Sequence, residues 1–192
     1  MKRTVFFLTA FFAFALMANA QDLNAGSKME NFSLPDTDGK VQTLDGLKGK
    51  NGALIVFLSA QCPVVKAYHE RINELATAYQ SKGIAFIGIN SNATEDLNWV
   101  KTNKTEYGYQ FPVLIDKGNA FADKLNASST PEVFYVDNRD TLLYHGAIDD
   151  DQKGTNITKP FLKTAFDESL GGKAVSQPRT KSFGCTIKRV GM

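Results

Sequence analysis

Uncharged apolar runs alternate with amphipathic stretches along this chain. Residues 53–59 and 84–90 contain no charged side chain, which predicts strands covered on both faces. Between them, 63–81 carries apolar residues at helical spacing and is stopped near Gly83, which predicts a long helix. A helix from Thr94, Glu95 and Asp96 to about Glu106 follows, with Leu97 and Val100 starting its apolar stripe. Then come a strand at 111–116, a short helix at 119–126 and a strand at 132–137. A turn at Asn138-Arg139-Asp140 leads into a strand at 141–148. The closing helix, 160–170, ends at Gly171 and Gly172. Near the start, 31–35 and 40–44 flank Asp36-Thr37-Asp38-Gly39 and read as a β-hairpin, with a loop at 47–52. The three earlier strands, separated by helices, are expected to run parallel, and the last two to pair antiparallel. The expectation is an α/β fold: a mixed central sheet, helices on both faces, and an N-terminal hairpin extension.

Residues 1–20 depart from this pattern. Lys2 and Arg3 precede an apolar run from Val5 to Met17, and Ala18-Asn19-Ala20 forms a small-x-small site. This is a signal peptide with cleavage expected before Gln21, leaving 21–192 as one domain with a tail from about 172. The whole chain has 22 Lys and Arg against 20 Asp and Glu, so losing Lys2 and Arg3 balances the charges. Nucleic acid is therefore not an expected partner, nor is stable membrane insertion after cleavage. Export places the protein in an oxidising compartment, the periplasm, where its two cysteines are free to pair.

Cys62 ends the first central strand and stands where the long helix begins. Unpaired amides and the macrodipole at that point favour negative charge, and the thiolate is the reactive form of cysteine. Pro63 suits the first helical turn because its missing N–H is no loss there. A lone thiol packed behind the first turn is the inert reading of the same residue.

The run Phe57-Leu58-Ser59-Ala60-Gln61-Cys62-Pro63-Val64-Val65-Lys66, with Ser128-Ser129-Thr130-Pro131-Glu132, Tyr144-His145-Gly146-Ala147-Ile148-Asp149-Asp150 and Gly184-Cys185-Thr186-Ile187-Lys188, resembles the thioredoxin-like superfamily. It is most similar to the redoxin (AhpC/TSA) branch and its peroxiredoxin-like group. The resemblance implies that Thr130-Pro131 is a cis-proline loop beside Cys62, where the Thr130 backbone can pair with an extended substrate. It also offers Cys185 as a resolving cysteine; a permanent staple to Cys62 and an unpaired thiol are the alternatives. The Gly-containing tail flanked by Lys181, Lys188 and Arg189 reads as mobile, which suits a labile bond. Two departures from the family pattern stand out. Val65 occupies the place of the second cysteine of Cys-x-x-Cys, and Ile55 and Ser59 replace the Pro and Thr that precede a peroxidatic cysteine.

The implied function is an exported thiol–disulfide oxidoreductase acting through Cys62, with Cys185, Pro63, Thr130 and Pro131 at the site. Its substrate would be a protein or small-molecule disulfide or thiol, with an external thiol as reductant and no cofactor. A peroxiredoxin-type peroxidase and a non-catalytic binding or metal-handling domain are the alternatives. His69, two turns past Cys62, reads as solvent-facing. His145 with Asp149-Asp150-Asp151 lacks the spacing of a metal site, and the acidic run reads as a solvated loop. Arg139, the arginine nearest the cis-proline strand in sequence, falls in a turn at its far end.

Overall fold

The computed structural model describes residues 23–191; the expected signal peptide and its cleavage site lie outside the described residues. The hairpin comes first: β1 (Ser33–Pro35) and β2 (Val41–Thr43) pair antiparallel, Ser33 opposite Thr43. Its turn is held by the Asp36 carboxylate, which accepts from the amides of Asp38 and Lys40, and by Gly39 at φ +83°. The chain passes directly into α1 (Leu44–Leu47), where the sequence reading had the strand's last residue and then a loop. Thr43 is the overlooked signal: its hydroxyl accepts from the Gly46 N–H at 3.0 Å, capping a turn that buries Leu44.

Next come β3 (Ala53–Leu58), α2 (Pro63–Gln80), β4 (Ala85–Asn90), α3 (Leu97–Glu106), β5 (Val113–Ile115) and α4 (Ala120–Lys124). They are followed by β6 (Ser129–Thr130), β7 (Glu132–Val136), β8 (Leu142–Gly146), α5 (Phe161–Leu170) and β9 (Cys185–Thr186). Five strands form the central sheet in the order β5-β4-β3-β7-β8. β4 and β5 run parallel with β3, while β7 pairs antiparallel with both β3 and β8. This is the expected mixed sheet.

Strand alternation divides the core in two. Leu54, Val56 and Leu58 of β3, with Val133 and Tyr135 of β7, face the layer built by α2, α3 and α5. Ala53, Ile55 and Phe57, with Phe134 and Val136, face the layer closed by α1, α4 and the N-terminal segment. Phe166 of α5 anchors the first layer, its ring 4.7 Å from that of Tyr79 and 4.8 Å from that of Tyr135. No helix among the described residues is long and apolar enough to cross a membrane.

The C-terminal tail corrects the expectation of a mobile segment. Pro178 and Arg179 run alongside β8: the His145 N–H donates to the Pro178 carbonyl and the Thr180 N–H to the His145 carbonyl, both at 3.0 Å. β9 then pairs antiparallel with β6, Thr130 opposite Cys185. Ile187 is fully buried in the second core layer, and Arg189 forms an ion pair with Asp123 at 2.7 Å. Two-residue strands carry no legible periodicity, so the tail's attachment was hidden in a Gly-, Ser- and Pro-containing stretch.

Candidate active site

β3 is buried along its whole length and delivers the chain to a three-residue loop, after which Cys62 is the N-cap of α2. Its backbone is extended (φ −81°, ψ 116°), Pro63 is the first helical residue and exposed, and no side chain caps the helix. An N-cap side chain sits where the amides of the second and third helical residues point, here Val64 and Val65. A negative sulfur at that position would fill the cap that the helix otherwise lacks.

Glu95 fixes the loop that presents Cys62. Its carboxylate accepts from the Ser59 hydroxyl (2.5 Å), the amides of Ala60 (2.8 Å) and Gln61 (3.1 Å), and the Asn90 side chain (2.5 Å). The sequence reading placed Glu95 at a helix start. Instead Asp96 is the N-cap, accepting from the Trp99 amide at 2.8 Å, and the helix begins at Leu97, which is exposed and starts no apolar stripe. Of three consecutive polar residues only one caps the helix. The carboxylate left over just past the C-terminal end of β4 lies at the same edge of the sheet as Cys62, a signal that could have identified it.

The opposite wall is the loop before β7. The Thr130–Pro131 peptide bond is cis, as the family resemblance implied. Thr130 and Pro131 are buried, and the Thr130 carbonyl oxygen lies 3.3 Å from Cys62 Sγ. Cys62 and Cys185 are joined by a disulfide spanning 123 positions of sequence. Cys62 is 3 % exposed, whereas Cys185 is half-buried and flanked by exposed Gly184 and Thr186. Cys62, Pro63, Thr130, Pro131 and Cys185 thus converge on one spot, and the partner that pairs with the Thr130 backbone is the chain's own tail.

Glu132, the residue after the cis-proline, is a second carboxylate missing from the sequence reading. One oxygen meets His145 Nε2 at 2.6 Å; the other accepts from the amides of Ser128 (2.9 Å) and Ser129 (3.0 Å). Burial pushes its carboxyl up, but the hydrogen bonds from His145, Ser128 and Ser129 outweigh that and hold it below the ordinary glutamate value. His145 is committed to this pair and stacks on Phe134, its ring centroid 4.0 Å away.

Two other expectations change. His69 is half-buried rather than freely solvated, stacked on Tyr107 with Nδ1 2.6 Å from the Lys66 carbonyl. Asp149 is buried rather than solvated: it accepts from the Tyr68 hydroxyl at 2.7 Å and pairs with Arg71 at 2.5 Å. Burial and this carboxylate together push the Tyr68 phenol above its usual range. Asp150 stays exposed and Asp151 is half-buried, and their oxygens accept from backbone amides of the 153–159 loop. Arg139 does stand at the far end of β7, beyond Val136, which pairs with the first residue of β3.

Comparison with known proteins places this geometry among relatives. The Redoxin family model matches residues 24–160. The thiol-disulfide oxidoreductase ResA of Bacillus thuringiensis (strain Al Hakam) is 31% identical over 120 residues, 62% of this chain and 68% of that protein. A hypothetical protein, SMc02350 from Sinorhizobium meliloti 1021, superimposes with a TM-score of 0.82 at 34% identity, covering 90% of this chain and 98% of that one. An uncharacterized conserved protein from Geobacillus kaustophilus does so with a TM-score of 0.83 at 30% identity, over 88% and 94% of the two chains.

Proposed function

The chain belongs to the redoxin family, and from that premise we propose that it is an exported thiol–disulfide oxidoreductase whose working pair is Cys62 and Cys185. One observation carries the reading: a cysteine capping α2 is joined, beside a cis-proline, to a second cysteine brought from the far end of the chain. The ResA relatives are named for this reaction, and the thioredoxin-like fold suits it.

In the oxidising direction, a thiolate of the reduced pair attacks a substrate disulfide, forms a mixed disulfide and releases the first substrate thiolate. The second cysteine attacks that bond, closes Cys62–Cys185 and releases the other substrate thiol. Two electrons pass from the protein to the substrate, and an external thiol restores the reduced pair by the reverse steps. Pro63 opens the helix without a competing donor, while Thr130 and Pro131 form the wall against Cys62. The leader at 1–20 supports delivery to the periplasm.

Peroxide reduction is the weaker reading. A peroxide pocket needs donors free to hold and polarise the oxygen atoms. Here the Ser59 hydroxyl and the amides of Ala60 and Gln61 are already bound to the Glu95 carboxylate.

The test is equilibration in glutathione buffers, acid quenching, and alkylation with a mass-tagged maleimide. A reversible two-electron titration of Cys62 and Cys185 together supports the proposal. A bond that no thiol reduces, or oxidation of the reduced protein by hydrogen peroxide orders of magnitude faster than by a disulfide, overturns it.

A further inference from the structure

Resting on the thiol–disulfide reading above, we infer that the pair exchanges with outside thiols through the sulfur of Cys185, with Cys62 as its buried partner. By the same geometry β9 closes the cis-proline groove to extended polypeptides, so the substrates are small thiols and disulfides.

The backbone edge of β6 is where an added strand would pair, and β9 already occupies it. The fit is close. A Cβ on Gly184 would stand 2.0 Å from the Thr130 carbonyl oxygen, so the two backbones touch with no room for a second strand. The disulfide is not what holds this strand in place. Downstream, Ile187 is fully buried, the Lys188 N–H donates to Asn92 Oδ1 at 3.1 Å, and the Ala93 N–H donates to the Lys188 carbonyl at 2.9 Å. Asn119 accepts from the Val190 N–H at 2.9 Å. Upstream, the segment at 178–180 is paired to His145. Anchored on both flanks, β9 stays in the groove when the bond opens.

Access then separates the two sulfurs. Thiol–disulfide exchange requires the incoming thiolate to reach the sulfur it attacks. Cys62 lies behind Thr130 and β9 at 3 % exposure, while Cys185 is half-buried between exposed neighbours. An outside thiolate therefore bonds to Cys185, the Cys62–Cys185 bond breaks, and Cys62 leaves with the electron pair at the N-terminus of α2. A second outside thiolate attacks the mixed disulfide, releasing the small disulfide and the Cys185 thiolate. In the other direction the Cys185 thiolate opens a small disulfide, and Cys62 closes the bond by expelling the second thiolate. This inverts the expectation that Cys62 makes the first attack.

Two full-length variants test the assignment. Cys62→Ser and Cys185→Ser are each incubated with oxidised glutathione, quenched over time and mapped by mass spectrometry. Glutathione should join Cys185 in the first at least about tenfold faster than Cys62 in the second, because rate follows access. Equal rates, or faster labelling of Cys62, overturn the inference and leave the thiol–disulfide reading intact. A wild-type bond that no thiol reduces sinks that reading instead. For substrate class, the oxidised wild-type protein is reduced by glutathione or by reduced, denatured lysozyme at equal thiol concentration. Slower reaction with the polypeptide is expected, with the gap narrowing in Ile187→Ala; a polypeptide as fast as glutathione overturns this part.

Discussion

Gly184→Ala puts the packing of the tail against the cis-proline loop to a direct test. Its Cβ would stand 2.0 Å from the Thr130 oxygen, 2.7 Å from the Thr130 carbonyl carbon and 3.2 Å from Pro131 N. Unbonded atoms of these kinds settle at about 3.5 Å, so β9 must retreat by about 1 Å or more. Gly184 is not among the glycines at positive φ, so alanine meets no backbone penalty and the effect is steric alone. Overpacking of this kind costs about 1–3 kcal/mol. The cost falls mainly on the oxidised protein, where the bond to Cys62 fixes Cys185 at its closest approach to the loop; in the reduced protein the strand stays anchored in the groove but can give by the ångström that the methyl group needs. At about 30 mV per 1.4 kcal/mol, the midpoint potential of the Cys62–Cys185 pair should rise by about 20–60 mV. The measurement is the oxidised fraction across a series of glutathione buffers, read by maleimide gel shift, with the exposed neighbour Thr186→Ala as control. A potential within about 10 mV of wild type, or a more negative one, would refute the close approach that this reasoning requires.

Four further outcomes follow. Ile187→Ala should cost about 2–4 kcal/mol in urea unfolding, because it empties a fully buried site; a loss under about 0.5 kcal/mol would mean the tail is not anchored there. Reducing the wild-type protein should lower its stability by up to about 5 kcal/mol, the chain-entropy value for a 123-residue loop; coincident urea curves with and without reductant would count against it. Glu132 is held below its ordinary value of 4.5, so its contribution is complete above that pH and is lost as pH falls through the folded-state value. The stability gap between wild type and Glu132→Gln should therefore shrink from pH 6 to pH 3, and a constant gap would contradict the pairing. Glu95→Ala strips the acceptor from the Ser59 hydroxyl and the amides of Ala60 and Gln61, and should cost about 2–4 kcal/mol in thermal unfolding. A neutral result would show that water replaces it.

The central sheet was legible because β3 and β4 carry no charged residue and the helix between them, α2, is long. Both signals come from local composition. The Cys62 junction was legible for the same reason, since a buried strand must meet a helix there whatever the partners. The cis state of Pro131 was not in the residues, because only the family resemblance raised it above the trans alternative. The tail was illegible in a different way. Its fixing depends on one apolar residue, Ile187, and on backbone groups that every sequence possesses. Glu95 and Glu132 were hidden because each looked like an ordinary surface carboxylate. Glu95 stood in a capping run, and Glu132 stood at the start of a strand whose other residues are apolar. Glu95 takes its role from a loop 34–36 residues away, and Glu132 from the Ser128 and Ser129 amides 3–4 residues away and from His145, 13 residues on in the neighbouring strand.

Val65 occupies the helix position where a second cysteine would make a local dithiol, and it is fully buried. The second sulfur comes instead from β9, and this changes what the bond is coupled to. A dithiol within one helical turn closes a loop of a few residues and reports on little beyond that turn. The Cys62–Cys185 bond closes most of the domain, and its formation requires the tail to be docked. Docking and oxidation are therefore linked reciprocally: the disulfide favours the docked tail, and any release of the tail in the reduced protein disfavours the disulfide by the same coupling free energy. Once an anchor is weak enough to release the reduced tail, the pair should become more oxidising by about 30 mV for each further 1.4 kcal/mol of docking free energy lost. Packing on the far side of the sheet from α2, in the layer that receives Ile187, therefore bears on the potential wherever it decides whether the reduced tail stays docked, beside the helix N-terminus that holds Cys62.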